Sequence, residues 1–345
     1  MEVYRDRTVG VVVPSYNEEE FVGNVIDTVP SYVDRIYAID DCSNDDTWTE
    51  IRRHAAKMNG CASVASADGH APVSKAETDA GFDRRVVPIR HEENRGVGGV
   101  IKTGYLRARE DELDITAVLA GDGQMDPRHL PRLLDPIVDG AADYTKGNRL
   151  IAKEYRTDMP RFRLYGNAIL THLTRISSGY WKVMDPQNGY TAISLGALER
   201  LPIEDLYEYY GYPNDLLVKL NADEMRVADV PMPAVYGDEE STIRYPSYVR
   251  KVSVLLARNF LWRVSVRYVE RDFNPKEPLY TAAFIAAAIG TLGGLRTLLS
   301  EHRPQKKRVL LAVSSCILFV GVLVPSIGDL LKADGEWDTG VRIYD

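Results

Sequence analysis

The chain is short of cysteine and has no two cysteines at metal-ligand spacing. Cys42, Cys61 and Cys316 are far apart and odd in number, which excludes a disulfide framework and a CxxC zinc site. The six histidines are scattered, and no HExxH run joins them. Basic residues are not in excess either: the net charge of −8 argues against a nucleic-acid-binding surface. The start, Met-Glu-Val-Tyr-Arg-Asp, lacks a basic and apolar leader, so the bulk of the chain is expected in the cytosol. No internal repeat is present. The most Gly-rich stretch lacks both the GK[ST] ending of a Walker loop and the GxGxxG spacing of a dinucleotide fingerprint.

What is there begins with length. A chain of 345 residues can build one large domain or two smaller ones. Its first 150 residues alternate short β-branched runs with helical periodicity, the pattern of a parallel α/β sheet. Strands are expected at Val9–Pro14, Arg35–Asp41, Val86–Arg90, Ile115–Leu119 and Ala142–Lys146, and a last one within Met225–Pro233. Helices are expected at Glu18–Val29 and from Trp48 to Met58, where apolar residues recur at helical spacing. Residues 61–84, rich in Ala, Ser, Asp and Gly and without a period, read as a loose surface insertion.

After residue 245 the composition changes. Residues 246–276 carry clustered Lys and Arg, with Val249, Val252, Leu256 and Phe260 at helical spacing, which suggests a basic amphipathic helix on an anionic membrane. Two uncharged runs follow, Leu279–Leu295 and Val309–Gly328. Because roughly 20 helical residues cross the hydrocarbon core, these predict a transmembrane hairpin within 277–332, ahead of a tail at 333–345. The intervening loop, 301–308, is basic and opposes the positive-inside rule, but the segment before the first run is more basic still.

Four segments carry candidate chemistry, each at the end of an expected strand or opening a helix. Pro14-Ser15-Tyr16-Asn17-Glu18-Glu19 follows the first strand, and ligands of open α/β sheets bind at the carboxyl ends of strands. Asp40-Asp41-Cys42-Ser43-Asn44-Asp45-Asp46-Thr47 follows the second; its acids can accept from a base or ribose, and its Ser and acids equally suit a helix cap. Asn94–Gly104 contains Gly96, Gly98, Gly99 and Lys102, and reads as a tight turn or as backbone NH groups offered to an anion. Ala120-Gly121-Asp122-Gly123-Gln124-Met125-Asp126 follows the fourth strand, and an acid there can hold Mg²⁺ or Mn²⁺.

Together and in this order, these segments resemble the family 2 glycosyltransferases. Lys146-Gly147-Asn148-Arg149, Asp185-Pro186-Gln187-Asn188-Gly189-Tyr190 and Val230-Pro231 extend the likeness over residues 8–245. The Asp-x-x-x-Gly-Tyr stretch and the C-terminal hydrophobic runs look most like the polyprenyl-phosphate sugar synthases. The resemblance implies a GT-A, Rossmann-like, mostly parallel sheet flanked by helices over residues 1–245. It implies a hexosyltransferase that takes a sugar, with inversion, from a nucleotide diphosphate sugar to a polyprenyl or dolichyl phosphate. It would be a multi-pass protein of the cell membrane with its catalytic domain facing the cytoplasm.

By the same resemblance, Pro14, Tyr16, Glu18 and Asp41 or Asp40 line the nucleotide pocket, Lys102 stands near the phosphates, and Asp122 and Gln124 bind the metal. Ala120 replaces the first acid of the relatives' Asp-x-Asp-x-Gln run, so one carboxylate is missing, and Asp126 is a candidate substitute. Asp215 stands where the family has an acid near the acceptor, and reads as a general base, an orienting group or a helix cap. Arg149 and Arg244 are candidates to grip an acceptor phosphate, ahead of Arg161 and Arg163. Two other functions fit the residues: transfer to a lipid-linked glycan or surface polysaccharide, and, because of Ala120, a catalytically degenerate membrane protein that binds nucleotide sugar.

Overall fold

The computed structural model describes residues 4–60, 82–151, 161–233, 245–266 and 342–343. They form two units, one running to Leu256 and including 342–343, the other beginning at Ala257. The hydrophobic runs at 279–295 and 309–328, most of the 61–84 segment and Arg244 lie outside the described residues. Among the described residues, no helix is long and apolar enough to cross a membrane.

The first unit opens with β1 (Val9–Ser15), α1 (Val22–Thr28), β2 (Arg35–Asp40), α2 (Thr47–Met58), β3 (Val86–Arg90), α3 (Val97–Glu110) and β4 (Ile115–Val118). It continues with α4 (Leu130–Val138), β5 (Tyr144–Asn148), α5 (Arg161–Ser178), β6 (Thr191–Ser194), α6 (Leu195–Arg200), α7 (Tyr212–Ala222) and β7 (Val227–Pro231). α8 (Tyr245–Ser265) spans the division between the units, and the two-residue β8 (Arg342–Ile343) pairs along β7.

The sheet order is β3-β2-β1-β4-β6-β5-β7-β8. β1, β2, β3 and β4 run parallel, as do β5 and β7, and β6 alone runs antiparallel to both its neighbours. β1 is apolar at nearly every position because both its faces are covered. Val9, Val11 and Val13 pack with Val25 and Ile26 of α1, Ile51 of α2 and Leu133 of α4. Val12 faces the other side, with Ile101 and Tyr105 of α3 and Leu216 of α7. Gly104 lets α3 lie close on β1, since a Cβ there would meet the Val12 methyls at 2.5 Å.

Several expectations need correction. α1 begins at Val22 rather than Glu18: residues 18–21 form a turn in which Phe21 N and Val22 N both donate to the Glu18 carbonyl, and Glu18 N and Glu19 N are held by Thr47 and Asp45 of the next loop. β5 is shifted two residues, to Tyr144–Asn148, by its register with β7. β6 was not expected; four residues are too few to show a period. Phe82, assigned to the loose insertion, packs on the core beneath the Arg35 guanidinium, 4.7 Å from its ring centre.

Candidate functional site

Parallel strands put their carboxyl ends on one edge, and the antiparallel β6 starts at that same edge. The loops after β1, β2, β3, β4 and β5 therefore converge there, with the 185–190 segment that leads into β6. The chain order reverses at β1, between β2 and β4, which is where open α/β sheets bind ligands. At this point the Gly121 NH donates to the Pro14 carbonyl at 3.0 Å. A Cβ on Gly121 would lie 2.4 Å from Ser15 Oγ, so the loop after β4 needs glycine to lie against the end of β1.

The first two loops are stitched together. Asn17 N donates to Ser43 Oγ (2.9 Å), Asn44 N to Asn17 Oδ1 (2.9 Å), Glu18 N to Thr47 Oγ1 (2.7 Å) and Asp46 N to Glu19 Oε2 (2.8 Å). The polar residues of both motifs are thus largely spent on each other. Ser43 does not cap α2, whose cap position is Asp46. Tyr16 stays exposed beside this seam, and Pro14 and Glu18 are partly buried.

Asp40 and Asp41, expected to meet the nucleotide, are both buried and both hold protein groups. Asp40 accepts from Ser43 N at 3.1 Å and lies 3.0 Å from Arg90 Nε. Asp41 accepts from His91 Nδ1 (2.7 Å), Arg95 N (3.0 Å) and Gly96 N (2.7 Å). It fixes the turn that opens α3, and His91 extends the link to Thr103 Oγ1 at 3.0 Å. His91 was missed; its place just after a strand is the only signal the sequence offers.

The glycines of the third motif receive protein. A Cβ on Gly98 would lie 2.2 Å from the Tyr207 carbonyl oxygen, and one on Gly96 would lie 2.7 Å from that of Glu208. The strap 206–211 lies on the amino end of α3, and Gly99 N donates to the Glu208 carbonyl at 2.9 Å. Lys102 Nζ meets Glu208 Oε1 at 3.0 Å, and Arg95 Nη2 meets the same oxygen at 2.8 Å.

Asp122 differs from the other acids. Its Oδ1 accepts from Gln124 N at 2.9 Å, in a turn that Gly123 completes at φ 74°. Burial pushes its carboxyl above the usual range, the backbone NH of Gln124 opposes that only in part, and no cation among the described residues contributes. Asp126, the candidate substitute for the missing acid, is already paired: Arg128 donates to both its oxygens, Nε to Oδ1 at 3.0 Å and Nη2 to Oδ2 at 2.6 Å.

Arg149 grips Asp185 with two parallel bonds, Nε to Oδ2 at 2.7 Å and Nη2 to Oδ1 at 2.9 Å. Burial would raise the Asp185 carboxyl, but the Arg149 guanidinium and Lys146 hold it below the usual range. Lys146 is buried too, 2.7 Å from Asp229 and bonded to the Met184 carbonyl. Asp215 is 3% exposed, in the first turn of α7. Its Oδ2 accepts from Lys219 Nζ at 2.6 Å and from Tyr207 N at 3.0 Å. The cap of α7 is Gly211, so the capping expectation for Asp215 is corrected.

Residues 10–201 match the model of Glycosyl transferase family 2, more than half of the chain. The chain belongs to this family. It is 26% identical over 234 residues to the UDP-N-acetylglucosamine–dolichyl-phosphate N-acetylglucosaminyltransferase of Methanococcus voltae, covering 68% of this chain and 88% of that one. It is also 26% identical over 236 residues to the undecaprenyl-phosphate mannosyltransferase of Micrococcus luteus, covering 64% and 81%. Among solved structures, it resembles glucosyl-3-phosphoglycerate synthase from Mycobacterium tuberculosis in complex with phosphoglyceric acid. That likeness has a TM-score of 0.50 at 21% identity over 75% of this chain and 80% of the other, and it speaks for the GT-A-like fold alone. The protein is a family 2 hexosyltransferase whose α/β domain is a mostly parallel sheet flanked by helices.

Members of family 2 are expected to use a divalent ion, and the donor set here fits one in a restricted way. Among the described residues, no group of three or more His, Cys, Asp or Glu could hold a metal. Asp122, with no cation beside it among the described residues, lies in the loop after β4 at the carboxyl edge of the sheet. A Mg²⁺-like ion needs no more from protein, because it binds through one or two carboxylates plus phosphate and water.

Proposed function

We propose that this enzyme transfers a sugar, with inversion, from a nucleotide diphosphate sugar to a polyprenyl phosphate at the cytoplasmic face of the cell membrane. The observation that carries this reading is Asp122: a partly buried carboxylate with no cationic neighbour among the described residues, at the switch point of a parallel sheet. Such a group costs free energy until a cation arrives, and functional sites are where such costs are tolerated. Asp122 and Gln124 would hold the ion, which when bound neutralises the departing diphosphate. Pro14, Tyr16, Glu18, Asp40 and Asp41 frame the nucleotide, through backbone and ring surfaces rather than free carboxylates.

The acceptor class is supported by the two relatives named for polyprenyl phosphates. It is also supported by Asp215. A hydroxyl acceptor needs a base to take its proton. A phosphomonoester, with its second pKa near 6, already carries the attacking charge at neutral pH. Asp215 is ion-paired and buried, which suits an acceptor that needs no base. Arg149, partly exposed and seated on Asp185 through Nε and Nη2, brings its positive charge to orient the acceptor phosphate. Lys251 and Arg258 of α8 are exposed, as is Val254, which suits contact with anionic headgroups.

The test uses purified full-length protein, labelled nucleotide sugars, Mg²⁺ or Mn²⁺ and polyprenyl phosphate in vesicles. Labelled product in the lipid phase supports the reading. Product formed only with a glycan acceptor would replace it with chain extension, and binding without turnover would make the protein a degenerate member.

A further inference from the structure

Glu208 belongs to none of the motifs that mark the family, yet it joins three parts of the site. Its single Oε1 holds both Arg95 Nη2 (2.8 Å) and Lys102 Nζ (3.0 Å), and its carbonyl holds Gly99 N (2.9 Å). The strap that bears it is fixed on one side by Asp215, through Tyr207 N, and on the other by the close approach of Gly96 and Gly98. The next residue after the strap, Tyr212, has its hydroxyl 3.7 Å from where a Gly189 Cβ would stand. Met125, of the Asp122 loop, lies 3.4 Å from the same point. One short segment therefore spans from Lys102 on α3, and Arg95 just before it, to the loop that carries Asp122.

We infer that Glu208 is a positioning residue: it fixes Arg95 and Lys102 at the mouth of α3 in the one geometry that meets the departing diphosphate. This rests on the proposed donor site. Two flexible cations converging on one carboxylate oxygen lose rotamer freedom before the substrate arrives, and that preorganisation favours the transition state over the bound ground state. The carboxylate also lowers the positive charge at the mouth. A positioning role and a shielding role thus predict different kinetics: loss of position lowers kcat, whereas loss of shielding tightens donor binding.

The experiment compares wild type, Glu208→Gln and Glu208→Asp, with kcat and donor KM measured on polyprenyl phosphate vesicles and in transfer of the donor sugar to water. Melting temperature is recorded for each. The expected result is a kcat about tenfold lower in Glu208→Gln with donor KM not raised and Tm unchanged, and partial recovery in Glu208→Asp, which keeps the charge. An unchanged kcat overturns the inference, whether or not KM falls, and so does a loss that merely follows a falling Tm. Wild type that hydrolyses donor but ignores the lipid phosphate refutes the acceptor reading alone, and Glu208 is then judged on hydrolysis. Wild type that does neither overturns both.

Discussion

Replacing Asp215 by Asn separates structural support from acid–base chemistry at the position where the family resemblance implies an acid near the acceptor. The carboxylate is 3% exposed and lies 2.6 Å from Lys219 Nζ, itself 7% exposed. Asn keeps the size and can still accept from Tyr207 N, but it leaves the buried ammonium without its carboxylate. Removing one member of a buried ion pair costs about 3–5 kcal/mol. In a domain of this size each 1 kcal/mol lowers Tm by roughly 2–4 °C, so Asp215→Asn should melt at least about 6 °C lower. Differential scanning calorimetry reads the shift, and the lipid-phase assay reads kcat at a temperature where the variant is still folded. The expected outcome is a lower Tm with kcat reduced less than about tenfold, since the strap still has its glycine contacts. A variant with unchanged Tm and kcat down by a factor of about 1000 would refute this reasoning and make Asp215 the base.

Asp122→Asn should abolish turnover while raising the Tm of ligand-free protein at pH 7. Burial raises this carboxyl, so the folded state binds its proton more tightly than the unfolded chain; the resulting stability is present at low pH and is lost as pH rises through the folded value. A lower Tm at pH 7 or retained turnover would count against the assignment. Gly98→Ala should destabilise by about 1–3 kcal/mol in urea unfolding, because the Tyr207 carbonyl 2.2 Å from its Cβ is backbone and yields only if the strap moves. Gly196→Ala is its control: it meets nothing within 4 Å in α6 and should be neutral or stabilising. Arg149→Lys replaces a forked pair by a point charge. Asp185 is held below the usual range, so its stability is present above the unfolded value and is lost as pH falls through the folded one. The loss of urea stability between pH 7 and pH 3 should therefore be smaller in the variant; an equal loss refutes the pairing.

Much of the fold was legible because it is encoded locally. Val9–Ser15 is apolar at nearly every position, which only a strand covered on both faces tolerates, and Thr47–Met58 has its apolar residues on one helical stripe. The motifs were legible because turn chemistry marks where strands stop. The four-residue β6 was not, and its reversal of direction brings Gly189 and Tyr190 to the ligand edge. Asp126 looked like a spare metal ligand because its bond to Arg128 depends on the turn's geometry rather than on the spacing of acids.

The first five strands, the two helices between the earliest of them and the family that the motifs define could be read from the chain alone. Local periodicity and turn preference act over a few residues, so they can be read without the fold. What the charged groups do follows from the folded chain: Asp41 anchors His91 and the α3 turn, Glu208 gathers Arg95 and Lys102, and Lys219 occupies Asp215. Arg95 and Glu208 are 113 residues apart in the chain, and no local pattern states which cation a distant carboxylate will meet. Burial and packing make that choice, and among the described residues they bring no cation to the buried side of Asp122.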